Sequence, residues 1–319
     1  MGNSIGVVVA TYNGEKYIAE QLKSIINQNK KPDLIVVSDG CSSDNTVNIC
    51  RNTLKSSGIT YKILTSNIPL SVKNNFEIGI KNCEAEYIFC SDQDDFWMET
   101  KIQNFITAFD HENADMVLSN AYITDADLNK TGKLLWETIG FTPKGDVCAY
   151  NKGDLSFLNE LNRHNVVTGM CMAFRRAFLK DLLPFSDNSI HDVWIAYKMN
   201  QFGKIVVLNS CEVLYRQHGN NVIGTTSSIQ SSYKHKNGYY ERVKKRLYFI
   251  EDVSRNCPNQ QLINIYCQYI NHLRFRRDFM KKKVPFVKIF FLVNKYKKYE
   301  YKWNQIIVKD IYIRWNIKG

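Results

Sequence analysis

An α/β fold, with a mostly parallel sheet between helical layers, is predicted by three observations. Short apolar or strand-like runs recur at 5–10, 34–38, 61–65, 87–90 and 116–120. Segments with helical periodicity or helix-start signals fall between them. Polar, turn-forming loops follow the strand ends at 11–14, 39–46 and 92–95. Strands that alternate with helices cover both faces of a parallel sheet. In such sheets ligands bind beyond the carboxyl ends of the strands, so the three loops are expected to converge on one crevice.

The elements follow in order. Residues 5–10 (Ile, Gly, Val, Val, Val, Ala) suit a strand buried on both faces. Asn13-Gly14 breaks it with a strong turn signal. Ile18, Leu22, Ile25 and Ile26 then share one helical face. A second strand is read at 34–38. The polar loop 39–46 leads into a helix from Val47, with Ser42, Ser43 or Asp44 as its N-cap. A third strand (61–65), a helix over about 74–82, and strands at 87–90 and 116–120 complete the regular part. Residues 125–165 have weak patterning and are expected to form an irregular excursion. The segment 166–174 is apolar, a helix opens near Ile190 and reaches about Asn200, and two late strands are read at 204–208 and 213–216. A polar linker is expected at 225–232, with helices beyond it.

At 319 residues, one large domain with an appendage or two domains are expected. Charge supports a division into 1–224 and 225–319. Residues 225–319 hold 21 Lys and Arg against 6 Asp and Glu, whereas 1–224 hold 21 against 25. The basicity therefore belongs to the C-terminal third alone. Nine cysteines occur with no CxxC pair, which argues against a zinc site or a disulfide framework and for a reducing compartment. No secretory leader is legible, and no window has the roughly 18 apolar residues of a membrane span. No GxGxxG follows the first strand and no GxxxxGK[ST] occurs, so dinucleotide-binding and P-loop chemistry are excluded.

The run Asp92-Gln93-Asp94-Asp95 carries the chemistry. Three carboxylates within four residues repel one another unless a cation or a hydrogen-bonded ligand compensates them. Hard oxygen donors at a strand end suit Mg²⁺ or Mn²⁺, ions that share their coordination with substrate phosphates.

The segments VVVATYNGEKYIAEQLKSIINQ, VVSDGCSSDNT and FCSDQDDFW resemble the family 2 inverting glycosyltransferases with the GT-A fold. TGMCMAFRR, HDVWIAYKMNQFGKIV and LYRQHGNN are similar to the bacterial rhamnosyltransferase-like branch of that family. The motifs lie in the expected order from about residue 5 to residue 224. The resemblance implies a GT-A domain, a mixed sheet flanked by helices, with a helical C-terminal extension. By the same resemblance, Thr11, Tyr12, Asp39, Gly40 and Asp92 bind the nucleotide, Asp39 through an imide N–H of uracil or thymine. Asp94 is the main ligand of Mn²⁺ or Mg²⁺, with His218 completing the metal or diphosphate site. Asp192 is the catalytic base. His191 stands where many relatives have an acid, and a role at the acceptor is expected for it and for Trp194. Each of these has a plain alternative: a turn aspartate for Asp39, a helix-start residue for His191, packing for Trp194. Arg216 is read either as a diphosphate contact or as a solvated strand-end charge.

The implied reaction moves a sugar, rhamnose being favoured, from a UDP- or dTDP-sugar to a hydroxyl of a surface-glycan acceptor, free or lipid-linked. Two rivals are weighed. A sugar nucleotidyltransferase would carry a Gly-rich basic loop after the first strand, which Thr11-Tyr12-Asn13-Gly14 does not supply. A non-catalytic nucleotide-sugar-binding relative has no need of Asp94 and Asp192. The basic C-terminal third fits a solvated helical face, a nucleic-acid surface or a membrane surface. No nucleic-acid module is recognisable. Phe286, Ile289, Phe290 and Val293 fall at helical spacing between lysines, which favours peripheral attachment to an anionic membrane. A cytoplasmic enzyme at the inner face of the cytoplasmic membrane is therefore expected.

Overall fold

The computed structural model describes residues 4–163, 166–219, 236–286, 310, 311 and 314. Its centre is one ten-stranded mixed sheet. The first half alternates as the sequence predicts: β1 (Ile5–Thr11), α1 (Ile18–Ile26), β2 (Leu34–Asp39), α2 (Thr46–Lys55), β3 (Thr60–Thr65), α3 (Val72–Lys81) and β4 (Tyr87–Ser91). A short β5 (Phe96–Trp97), α4 (Lys101–His111) and β6 (Met116–Thr124) follow. The excursion expected to be irregular is partly regular: β7 (Lys130–Leu134), α5 (Leu135–Ile139), β8 (Val147–Tyr150) and α6 (Leu155–Arg163). Elements β7, α5 and β8 are short, and β7 is largely exposed, so no long apolar periodicity marks them, whereas α6 carries a stripe of Phe157, Leu158 and Leu161 that the sequence reading missed. After a 3-10 turn at Gly169–Cys171 come β9 (Met172–Arg175), α7 (Leu179–Leu182), α8 (His191–Phe202), β10 (Ile205–Arg216), α9 (Lys236–Ser254) and α10 (Gln260–Met280).

The main strand order is β3-β2-β1-β4-β9-β6-β10-β5, with β7 on β6 and β8 on β10. Strands β3, β2, β1 and β4 are mutually parallel, as are β6 and β10. Strand β9 runs antiparallel between β4 and β6, which joins the two parallel blocks. Its start therefore points toward the carboxyl ends of both neighbours, with Ala173 opposite Phe89 and Met172 opposite Leu118. The two late strands expected at 204–208 and 213–216 are one strand with an irregularity between Leu208 and Val213. Asn209 and Ser210 are exposed there, and that polar interruption hides the continuity.

Alternation along the strands divides the core into two layers. Val7, Val9, Ile35, Val37 and Phe89 pack under α1, α2 and α4. Val8, Val36, Ile88, Cys90 and Phe174 pack under α3, α6 and α8. Helices α9 and α10 extend this second layer through Leu247, Phe249, Ile250, Tyr266 and Leu273. Phe249 stands edge-on to Tyr197 of α8, and Gln201 donates to the Val253 carbonyl at 2.9 Å. Arg276 of α10 pairs with Asp310 at 2.8 Å, both groups being buried. All nine cysteines are free.

The boundary expected between residues 224 and 225, the linker at 225–232 and most of the amphipathic segment from Phe286 onward lie outside the described residues. Among the described residues no helix is long and apolar enough to cross a membrane.

Candidate active site

The three loops that follow β1, β2 and β4 meet as expected, and side chains stitch them together. Asp39, at the buried end of β2, accepts from Thr11 Oγ1 at 2.8 Å and from Ser42 Oγ and N at 2.6 and 2.8 Å. Its carboxylate is thus fixed in one orientation. Asn13 N donates to Ser42 Oγ, Ser43 N to Asn13 Oδ1 and Glu15 N to Asp44 Oδ2. Asn13 and Cys41 take positive φ values of 47° and 76°, strained for Cys and tolerated by Asn. Gly40 donates its N–H to Thr11 O at 2.8 Å, and a Cβ there would stand 3.3 Å from Asn75 Nδ2. Tyr12, 50% exposed, is an aromatic face presented beside this network.

Gln93 is a residue that sequence reasoning passed over. Its Oε1 accepts from Tyr12 N at 2.8 Å, and its Nε2 donates to Tyr12 O at 3.1 Å. One amide therefore brackets the backbone of the residue that offers the aromatic face. The only signal was its place inside the acidic run, where an acid-x-acid pattern treats the middle residue as variable.

Within the acidic run the carboxylates separate. Asp94 Oδ2 lies 2.9 Å from His218 Nε2, so the two expected metal ligands are neighbours across 124 residues of sequence. The His218 ring lies 4.8 Å from that of Tyr17. Asp95 turns inward: it is buried and accepts from Arg216 N at 3.1 Å. Burial, then the charges of Asp94 and Asp92, push its carboxyl far above the usual range. Asp92 is raised by burial and by the neighbouring charges of Asp94 and Asp192, which places these acids within electrostatic reach of one another. Among the described residues no group of three or more His, Cys, Asp or Glu side chains forms a complete metal cage. Asp94 and His218 fit an ion that takes its other ligands from a diphosphate and water.

Arg216 corrects one of the two sequence expectations for it, the solvated strand-end charge. It is 3% exposed, not solvated. Its guanidinium donates to the Asp94 carbonyl at 2.8 Å, to the Ala126 carbonyl and to Glu20, and lies 4.6 Å from the Tyr17 ring centre. The group clamps the acidic loop to α1 and to the loop after β6.

Asp192, in the first turn of α8, is 4% exposed. Its Oδ1 accepts from Val193 N at 2.7 Å, and the Gly169 backbone N–H also favours the ionised carboxylate. Burial pushes its pKa from 3.8 to about 7, against the pull of these N–H groups. That value suits a group that must gain and lose a proton near neutrality. His191 is buried, stacks on Phe76 at 3.8 Å and is held neutral by burial, its pKa lowered to about 3. Among the described residues neither ring nitrogen has a hydrogen-bond partner. Trp194 does not occupy an acceptor platform. It is 7% exposed, its indole N–H donates to Leu182 O at 2.7 Å and its ring meets Phe249 edge-on, because its helical position faces the core shared with α9.

Residues 6–183 match the family model described as "Glycosyl transferase family 2". A dTDP-rhamnosyl transferase, RfbG of Shigella flexneri, is 32% identical over 237 residues, which are 71% of this chain and 77% of that protein. A UDP-Glc:alpha-D-GlcNAc-diphosphoundecaprenol beta-1,3-glucosyltransferase, WfaP of Escherichia coli, is 31% identical over 127 residues, or 37% of this chain and 46% of that one. In structure, residues 1–349 of S. aureus TarS in complex with UDP-GlcNAc superpose with a TM-score of 0.63 at 18% identity, covering 98% of this chain and 89% of that one. That likeness places the fold among GT-A structures.

Proposed function

The chain belongs to glycosyl transferase family 2 and is a glycosyltransferase, and from that premise we propose a metal-dependent, inverting transfer of a sugar from a dTDP- or UDP-sugar to a glycan hydroxyl. The observation that carries the reading is the arrangement of one crevice. A fixed base-recognition carboxylate (Asp39), an Asp94–His218 pair 2.9 Å apart and a buried acid titrating near 7 (Asp192) lie on the loops and helix start around the carboxyl ends of the strands.

Asp39 and the exposed Tyr12 ring hold the nucleobase, the first by hydrogen bonding and the second by stacking. Asp94 and His218 hold Mn²⁺ or Mg²⁺, which supplies charge neutralisation to the diphosphate leaving group. Asp192, once ionised, takes the proton of the acceptor hydroxyl. The hydroxyl oxygen bonds to the anomeric carbon as the bond to the diphosphate breaks on the opposite face. One base suffices for inversion, and no covalent sugar–enzyme intermediate forms. Two-carboxylate retaining chemistry needs a close acid pair across the sugar instead.

Rhamnose is the favoured sugar, because the relative with the widest coverage described above is a dTDP-rhamnosyl transferase. An acceptor carried on a lipid diphosphate is favoured by the E. coli relative's name and by the basic C-terminal third, which suits peripheral attachment to an anionic membrane. Turnover of dTDP-rhamnose, UDP-glucose and UDP-GlcNAc, each with and without Mn²⁺, tests the proposal. Transfer that requires no divalent ion overturns the metal assignment, and absence of turnover with all donors on lipid-linked acceptors overturns the donor class.

A further inference from the structure

A charged residue is hidden beneath the crevice. Lys101 opens α4 at a position of its apolar stripe, four residues before Phe105 and eight before Phe109. It is 0% exposed. Its Nζ donates to the carbonyl of Met170 and sits 3.4 Å from the Trp97 ring centre. A lysine is rarely taken wholly out of water unless its amine is needed where it ends.

Met170 lies in the 3-10 turn Gly169–Cys171, just before β9, on the side toward the carboxyl ends of β4 and β6. The same turn meets the start of α8. The Gly169 N–H favours the ionised form of the Asp192 carboxylate. The Gly169 Cα packs so closely on His191 that a Cβ there would stand 2.6 Å from its Nε2. A hydrogen bond to a carbonyl fixes the plane of the following peptide and the turn that contains it. Here the turn has few residues, one buried amine on its outer side and the proposed base on its inner side.

We propose that Lys101 is a positioning residue for the transfer reaction: by holding the Met170 carbonyl it sets the Gly169–Cys171 turn, and through the packing of Gly169 on His191 it sets the start of α8 and with it the orientation of the Asp192 carboxylate. The groups facing Lys101 are Cys171, Asp95, Glu212 and Cys90, with Asp92 further along the same loop. Lys101 does not touch Asp192, so its effect on the base passes through the turn. This rests on the reading of Asp192 as the general base.

The test compares wild type with Lys101→Met, Gly169→Ala and Asp192→Asn. Lys101→Met keeps most of the length of the side chain and removes the donor. Gly169→Ala displaces the same turn while leaving the lysine in place. Each is measured for kcat against pH, for KM of the donor and for UDP binding by calorimetry. Both turn variants are expected to lose on the order of 10²-fold in kcat, the usual penalty for a small misplacement. Donor KM and UDP affinity should stay within a few-fold of wild type. The rising limb of kcat should move to higher pH by about one unit, because an N–H that favours the ionised carboxylate has been withdrawn. If Lys101→Met fails to fold, Gly169→Ala decides alone. An unchanged rising limb in whichever turn variant folds overturns the positioning role. Asp192→Asn separates the two readings: if it turns over like wild type, the base assignment fails, whatever the turn variants do.

Discussion

Asp192→Asn should make the protein more stable and less active at once. In the folded chain burial disfavours the ionised carboxylate, raising its pKa from 3.8 to about 7. Each pH unit of displacement is 1.36 kcal/mol, so the penalty at pH 8 approaches about 4 kcal/mol. The sign follows from linkage: a carboxylate whose folded pKa exceeds its unfolded value binds protons more tightly when folded. Its contribution is fully favourable below pH 3.8 and is lost as pH rises to about 7. Asparagine matches the protonated acid in shape and carries no such dependence. The variant should therefore gain up to about 4 kcal/mol over wild type at pH 8, under 2 kcal/mol at pH 5 and almost nothing below pH 4. Urea unfolding of both ligand-free proteins at pH 8 and pH 5 measures this directly. Transfer in the same variant should fall roughly 10²–10⁴-fold, the worth of a positioned general base, while UDP binding persists. Equal stability of the two proteins at pH 8, or a gain that does not shrink towards pH 5, would refute the view that Asp192 is held in a dry site at the cost of folding.

Asp94→Asn should weaken Mn²⁺-dependent UDP binding by at least on the order of 10-fold, and an unaltered Mn²⁺ titration would remove Asp94 from the metal site. Gln93→Ala forfeits the two hydrogen bonds to the Tyr12 backbone, about 1 kcal/mol each; donor KM should rise roughly tenfold or more with kcat nearly kept, and a fall in kcat alone would count against a nucleotide-side role. Arg276→Met leaves the Asp310 carboxylate buried without its charged partner, the Tyr239 hydroxyl alone remaining among the described residues, and should cost about 3–5 kcal/mol, seen as a lowered urea midpoint with the donor constants intact. Replacing Lys281, Lys282 and Lys283 by Glu should weaken co-sedimentation with anionic vesicles, since each basic residue near such a surface is worth about 1 kcal/mol; equal binding of wild type to neutral and anionic vesicles would exclude electrostatic attachment.

Strands β1, β2 and β4 were legible because they are buried runs, and α1 because it carries a clean stripe; the half-exposed β3 was legible only from its strand-like residues and its place in the alternation. The loops after β1, β2 and β4 were legible as polar breaks at the ends of such runs. What stayed hidden has physical causes. Strands β7 and β8 are short edge strands with half-exposed faces, so no burial pattern betrays them. The antiparallel β9 looks like any apolar run, and direction leaves no mark on composition. Trp194 was misplaced because nearness in sequence to Asp192 was read as nearness to the crevice, whereas a helix turns about 100° per residue and carries position 194 to the far side. Gln93 and Lys101 act on backbone atoms, and a backbone partner has no sequence signature. For Lys101 the one visible sign was a charge on the apolar stripe of α4.

The reach of β10 has a consequence for when the crevice comes into being. The bonds that shape the nucleobase side join residues about 30 apart, such as Thr11 with Asp39 and Asn13 with Ser42. The Asp94–His218 pair spans 124 residues, and Arg216 reaches Glu20 across 196. Closing the longer loops costs more chain entropy and comes later. On the proposed assignment, the residues of the nucleobase side are therefore present in a lengthening chain before those that meet the diphosphate. One late strand, β10, with the residues just beyond it, completes the set.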